Sequence, residues 1–311
     1  MKTLCFLPQT PTASINDLSV VVRASGSDFV HCKNEGEIFA ESNGATPNSR
    51  LVLMTSQQQV DVARQFTERF PQSLIIMMIT SPLPMQSREL RECIGIHSFV
   101  AYNNNEIDPC DLTVTLRKIR TKDVFGVQRY LKHDCLTSRH EICTPRDKLL
   151  ALQRVEEFVR FLGGDNATSR FSQYSTRVSE LLDELVLNAV AHTCNRSLQD
   201  AGCFEFSLSP TNSIHVEWGF DGELFGMSVR DNAGTLKKED ILTYLDSTMV
   251  LSAQNEEHMS HLAFRSMFER VHKFVVNVHP GFMTEVVSVM RFDRRLRDFD
   301  GRLRSFHFFT I

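Results

Sequence analysis

Residues 177–193 read RVSELLDELVLNAVAHT, and the periodicity of this stretch predicts a helix with two faces. Leu181, Leu182, Leu185, Ala189 and Ala191 recur at helical spacings, and Val178 and Val190 extend the apolar stripe. Glu184 and Asn188 stand one turn apart on the adjoining face. A carboxylate one turn before a carboxamide can hold a divalent cation or a water beside a phosphate, or form an ordinary surface pair. Spacing alone favours the surface pair.

Further along, residues 228–236 read SVRDNAGTL. An apolar run ends there in Asp231, Asn232 and Gly234, where a carboxylate can accept from an exocyclic amine and a glycine lets a ring approach. In this order the two stretches resemble the first two boxes of the Bergerat-type (GHKL) ATPase domain of sensor histidine kinases, anti-sigma factor kinases and gyrase. The resemblance covers residues 148–311. It implies an α/β two-layer sandwich with helices on one face of a mixed sheet, and ATP or ADP with magnesium as cofactor. It places Asn188 on magnesium through the nucleotide phosphates, Asp231 on adenine and Gly234 beside the base. Glu184 becomes the catalytic helix carboxylate. Thr284, in FMTEVV, matches the threonine that helps hold the adenine-site water, though threonine is also an ordinary strand former.

The chain departs from that pattern in one place. The family carries a GxGLGL-like run before a later helix, because glycine backbones wrap the triphosphate. Residues 252–268 here read SAQNEEHMSHLAFRSMF, without a glycine, and Glu256 and Glu257 would stand near an anionic phosphate tail. A weak pocket, or no cofactor at all, is the expectation. His192 reads as a surface or packed helix residue rather than a phosphoacceptor.

A chain of 311 residues, 42% hydrophobic and 23% charged, predicts two folded domains, each with its own core. The net charge of -4 argues against wholesale nucleic-acid binding. No apolar window approaches the roughly 18 residues of a membrane span. The N-terminal MKTLCFLPQTPTASIND turns polar too early for a signal peptide, so a cytoplasmic location without membrane insertion is expected. The 8 cysteines are scattered and form no CxxC. His133, Cys135, His140 and Cys143 have a spacing that fits no closed zinc site.

Residues 1–121 alternate strand and helix signals: strands at 18–23 (LSVVVR), 51–55, 74–80 and 97–102, and helices at 59–70, 88–93 and 111–120. This order predicts a doubly wound three-layer sheet and resembles a response-regulator receiver domain. Thr80 and Ser81 match the receiver hydroxyl, but the strand ending at Thr55 delivers no aspartate, and YNNN stands where lysine and proline would follow. The resemblance therefore implies a degenerate receiver-like domain used for docking or dimerisation. Residues 122–147 are expected to be a linker with a short helix at 127–132. Thr144 should cap a helix over 146–161, with Pro145 in its first turn and Gly163 and Gly164 ending it.

In residues 148–311, strands are expected at 204–208, 214–218 and 224–230, and helices at 238–244 and 262–272. A strand pair flanks Pro280 and Gly281, and SFHFFTI closes the chain as an edge strand. The 6 arginines and 3 aspartates between 291 and 304 read as a self-paired solvated face. Together these readings point to a bacterial signal-transduction protein. It would act through contacts with signalling partners, or as a homo-oligomer, with a degenerate adenine-nucleotide pocket and no catalysis. The alternatives are an active Mg-ATP-dependent protein kinase of the anti-sigma or histidine type, and a purely structural scaffold.

Overall fold

The computed structural model describes residues 1–8, 10, 12–44, 50–79, 96–103, 106–107, 109–132, 135–163, 169–194, 205–244, 264–292 and 299–311. They divide into two compact units, one of residues 1–123 with 303–309 and the other of 124–302 with 310–311. The expected helix at 88–93, the Thr80–Ser81 hydroxyls and the glycine-free stretch 252–263 lie outside the described residues. Among the described residues, no helix is long and apolar enough to cross a membrane.

The first unit is an α/β sheet. Strands β1 (Lys2–Phe6), β2 (Asp28–His31), β3 (Leu51–Ser56), β4 (Leu74–Ile79) and β5 (Ile96–Asn103) run parallel in the order β2-β1-β3-β4-β5. The two-residue strand β6 (Glu106–Ile107) pairs antiparallel with β5, and helices α1 (Thr12–Ala24), α2 (Glu35–Asn43), α3 (Val60–Arg69) and α4 (Pro109–Thr121) connect or follow the strands. This is the flavodoxin-like order of doubly wound sheets. In β4, Ile75 to Ile79 are all buried, as a central parallel strand requires.

The first strand expected from sequence is a correction. LSVVVR is the second half of α1, and the strand that opens the sheet is β1, KTLCF. Ile15, Leu18 and Val22 are buried at i, i+3 and i+7, while Val20 between them is exposed. Helical burial of that stripe outweighs the strand preference of a β-branched run. The C-terminal end of β1 leads into Leu7 and Pro8, so the relocated strand also lacks an acidic pair.

Strand β12 (Ser305–Thr310) pairs antiparallel with β5, Phe306 opposite Phe99 and His307 opposite Ser98. A buried polar cluster ties it to α4. Ser305 Oγ donates to Asp111 Oδ2 at 2.6 Å and accepts from the Ala101 N–H, while His307 Nε2 lies 3.3 Å from Asp111 Oδ1.

The second unit is built on an antiparallel sheet of order β10-β11-β9-β8-β7. Its strands are β7 (Leu136–Ile142), β8 (Ile214–Phe220), β9 (Leu224–Asp231), β10 (Lys273–His279) and β11 (Met283–Arg291). Helices α5 (Pro145–Leu162) and α6 (Ser169–Cys194) pack on one face, and α7 (Lys238–Tyr244) follows β9. Two expectations differ from what is seen. The supposed linker 122–147 supplies a 3-10 turn (Val127–Tyr130) and all of β7, and residues 205–209 form no strand. The start of α5 is as read: Thr144 Oγ1 accepts from the Asp147 N–H, and Asp147 Oδ2 accepts from the Thr144 N–H.

Residues 124–131 cross the sheet face opposite the helices. Gly219 and Gly226 sit directly opposite each other in β8 and β9. A Cβ on Gly226 would lie 2.8 Å from Val127, and one on Gly219 would lie 3.2 Å from Leu131. The paired glycines thus make the groove in which this strap lies. Its polar anchor is Glu285 on β11, whose two carboxylate oxygens both accept from the Gly126 N–H at 3.0 Å. Asn277 Nδ2 donates to Glu285 and to Val124 O, and the Tyr130 hydroxyl lies within hydrogen-bond reach of Val124 O and Asn277 Oδ1.

Burial pushes the Glu285 carboxyl above its ordinary range, against the donors from Asn277 and Gly126. Because the folded-state value exceeds the unfolded one, this group adds stability as pH falls through the raised value and withdraws it as pH rises. Urea unfolding of the parent as pH falls from 8 to 5 should show that gain, and Glu285→Gln should reduce it, the raised Asp231 and Glu184 carboxyls supplying the remainder.

Candidate functional site

Helix α6 buries Val178, Leu181, Leu182, Leu185 and Ala189. The same rotation of 3.6 residues per turn puts Glu184, Asn188 and His192 on the neighbouring stripe, at i, i+4 and i+8. That stripe meets two pieces of chain: the loop after β9, and the segment 264–270 that leads into β10.

At the first, His192 Nδ1 lies 3.4 Å from Thr235 Oγ1. Asp231, at the end of β9, is buried beneath this loop. Its Oδ1 accepts from the Ala233 N–H at 2.8 Å, and the Gly234 and Thr284 N–H groups lie near the carboxylate. Thr284 is its cross-strand partner. Burial raises the Asp231 carboxyl above its ordinary range, while these N–H groups and the nearby His192 pull the other way. The aspartate therefore caps its own loop, and its remaining lone pairs are what a ligand could use.

Gly234 has φ +59, and a Cβ there would lie 2.4 Å from His279 O, 2.6 Å from Phe282 N and 2.7 Å from Gly281 N. The Gly281 N–H donates to Gly234 O. The glycine is required by the close approach of the β10–β11 turn, a reason internal to the fold.

At the second contact, Arg270 binds Glu184 Oε1 at 2.9 Å and lies 3.8 Å from Glu180. The other oxygen of Glu184, Oε2, is buried without a hydrogen-bond partner among the described residues. Burial raises the Glu184 carboxyl, and Arg270 opposes that shift. Asn188 Nδ2 donates to the Glu184 backbone carbonyl at 2.8 Å and lies 3.8 Å from Met267 Sδ. Its amide is thereby oriented with the carboxamide oxygen directed away from that bond.

Of the residues singled out in the sequence, Asp231, Gly234 and Thr284 thus come together at the end of β9. Glu184 and Asn188 line the helix beside 264–270, and His192 joins the two groups. Arg270 was not anticipated: it lies 86 residues from Glu184, and no local pattern signals the pairing. Glu285 had a signal, a carboxylate within a strand rich in valine.

Among the described residues, no cluster of three or more His, Cys, Asp or Glu is arranged to hold a metal. His140 uses both ring nitrogens, on Asp147 O and Arg154, and His133 lies outside the described residues. Cys135 and Cys143 form no disulfide among the described residues. The chain matches no protein-family model and no curated protein.

Gly281, with φ +75 and open space around its Cβ position, offers an internal control for Gly234. Gly281→Ala should cost about 1 kcal/mol, the left-handed backbone penalty alone. Gly234→Ala should cost at least about 3 kcal/mol, since backbone atoms must also move. Equal midpoint shifts in urea would remove the close-approach explanation.

Proposed function

We propose that residues 124–302 form a Bergerat-type nucleotide-binding unit with a weakened adenine pocket. In this reading the protein is a bacterial, cytoplasmic signalling protein that works through contacts with other signalling proteins. The observation that carries the reading is the contact of His192 with the loop that Asp231 caps. One turn back on the same stripe stands Asn188, so an amide that suits a magnesium–phosphate group and a carboxylate that suits an exocyclic amine share one wall. Asn188 would hold magnesium through the phosphates, Asp231 would accept from adenine, and Gly234 and Thr284 would shape the floor.

The weakness has physical causes. Glu184, the residue for activating a hydroxyl or water, is engaged by Arg270, which lowers its value as a base. Residues 252–268 carry no glycine for a phosphate cradle. A nucleotide on this wall would act as a conformational ligand rather than a substrate. The first unit supports a docking role by its strand ends: β1 leads into Leu7 and Pro8, and β3 ends at Thr55 and Ser56, with no carboxylate for phosphotransfer.

Isothermal titration with ATP and ADP, with and without magnesium, tests the proposal. The parent is expected to bind with Kd of about 0.1–1 mM. Asp231→Asn retains an oxygen for the Ala233 N–H but replaces an acceptor with a donor, and should weaken binding about tenfold or more. Asn188→Ala should abolish the magnesium dependence. A parent that binds neither nucleotide at several times about 1 mM sinks the reading and leaves a scaffold. Phosphate release on the scale of a working kinase, about 1 s⁻¹, would favour the active enzyme instead.

A further inference from the structure

Among the described residues, strand β7 ends the sheet order of the second unit and has β8 as its one strand partner. An unpaired edge offers its outward N–H and C=O groups to another strand, and folds usually blunt such edges with charges of one sign, proline or a bulge. Here the edge reads LTSRHEI, with Arg139 and Glu141 both exposed on the same face and of opposite sign. Four of the six large hydrophobic side chains exposed among the described residues lie on β7 and the helix beside it: Leu136 at 60%, Leu149 at 64%, Leu150 at 40% and Phe161 at 73%. Leu150 falls between Asp147 and Arg154 on α5, and both of these contact His140 of β7. Leu150 thus stands on the side of α5 that faces this edge.

We propose that this edge pairs with β7 of a second copy of the chain, antiparallel about a two-fold axis at His140. Charge selects that occupant and register. Centred on His140, Arg139 faces Glu141 of the partner subunit, and Glu141 faces Arg139 of the partner subunit, so two opposite-charge pairs form. Centring on Arg139 sets guanidinium against guanidinium, and centring on Glu141 sets carboxylate against carboxylate. A one-residue slip would oppose side chains from different faces of the sheet.

The chosen register also continues a pattern within the chain. Glu285, Arg230, His215 and Glu141 are successive cross-strand neighbours from β11 to β7, and Glu217 stands opposite Arg139, to which it is bonded. Across the seam, Glu141 meets a partner arginine that is itself backed by a glutamate, so acidic and basic groups stay interleaved. Leu150 and its two-fold copy flank the axis on the helix side, where they lose water together.

Sedimentation velocity on the full chain tests this pairing, with thermal melts followed by circular dichroism to confirm folding. The parent should form dimers. Glu141→Arg and Arg139→Glu should each dimerise about tenfold or more weakly, because each sets two like-charge pairs across the axis. An equimolar mixture of the two should recover dimer, since both cross pairs become complementary. Leu150→Asp, which leaves β7 untouched, should also weaken the dimer and keeps the test intact if Arg139→Glu fails to fold beside Glu217. A parent that stays monomeric to about 0.1 mM overturns the proposal. So does a folded Glu141→Arg or Leu150→Asp that dimerises as the parent does.

Discussion

Burial of one stripe of α6 is the constraint from which the second unit follows. With Val178, Leu181, Leu182, Leu185 and Ala189 set against the sheet, the 3.6-residue period leaves no freedom in where Glu184, Asn188 and His192 go. They must lie to one side of the seam, and whatever chain crosses that side must answer their polarity. Thr235 answers His192, and Arg270 answers Glu184. The arrangement of the candidate site is thus a by-product of core packing. Its residues are held as firmly as the core is, whether or not a nucleotide is present.

The opposite face of the same sheet solves a different problem. A sheet covered by helices on one side still presents its other side to something. Here the strap 124–131 covers part of it, through a glycine pair that admits Val127 and Leu131 and a buried carboxylate that collects the strap's N–H. A buried carboxylate is costly unless its lone pairs are filled. Glu285 accepts from Gly126 and Asn277, so breaking the strap would expose both the apolar groove and an under-satisfied charge. The strap and sheet are therefore expected to open together rather than separately.

What was legible in the sequence tracks how local the deciding physics is. The α5 start was readable because Thr144, Pro145 and Asp147 carry a capping box within four positions. The β10–β11 pair was readable because Pro280 and Gly281 separate two apolar runs. Asp231 at a strand end and the two faces of α6 were readable for the same reason. By contrast, LSVVVR misled because three valines favour a strand in any short window, and only Ile15, Leu18 and Val22 taken together reveal the helix. β7 was hidden because an edge strand buries little, so LTSRHEI lacks a clear alternation. Gly234 looked like a residue kept for a ring to approach. The clash that a Cβ there would make with backbone atoms of residues 279–282 could be known only once the turn was placed.

The last residues of the chain show how far connectivity and structure can part. Residues 303–309 belong to the first unit, where β12 lies on β5 and brings Ser305 and His307 to Asp111. Closing so long a loop costs little more than closing a short one, because the entropy grows only with the logarithm of length. The benefit is local: β12 covers a strand edge of a parallel sheet and gives a buried aspartate a hydroxyl donor. The cost appears in time rather than in stability. A unit that needs residues almost two hundred positions apart has a high contact order, so its native pairing forms late. Until then Asp111 lacks its Ser305 donor, and β5 lacks β12.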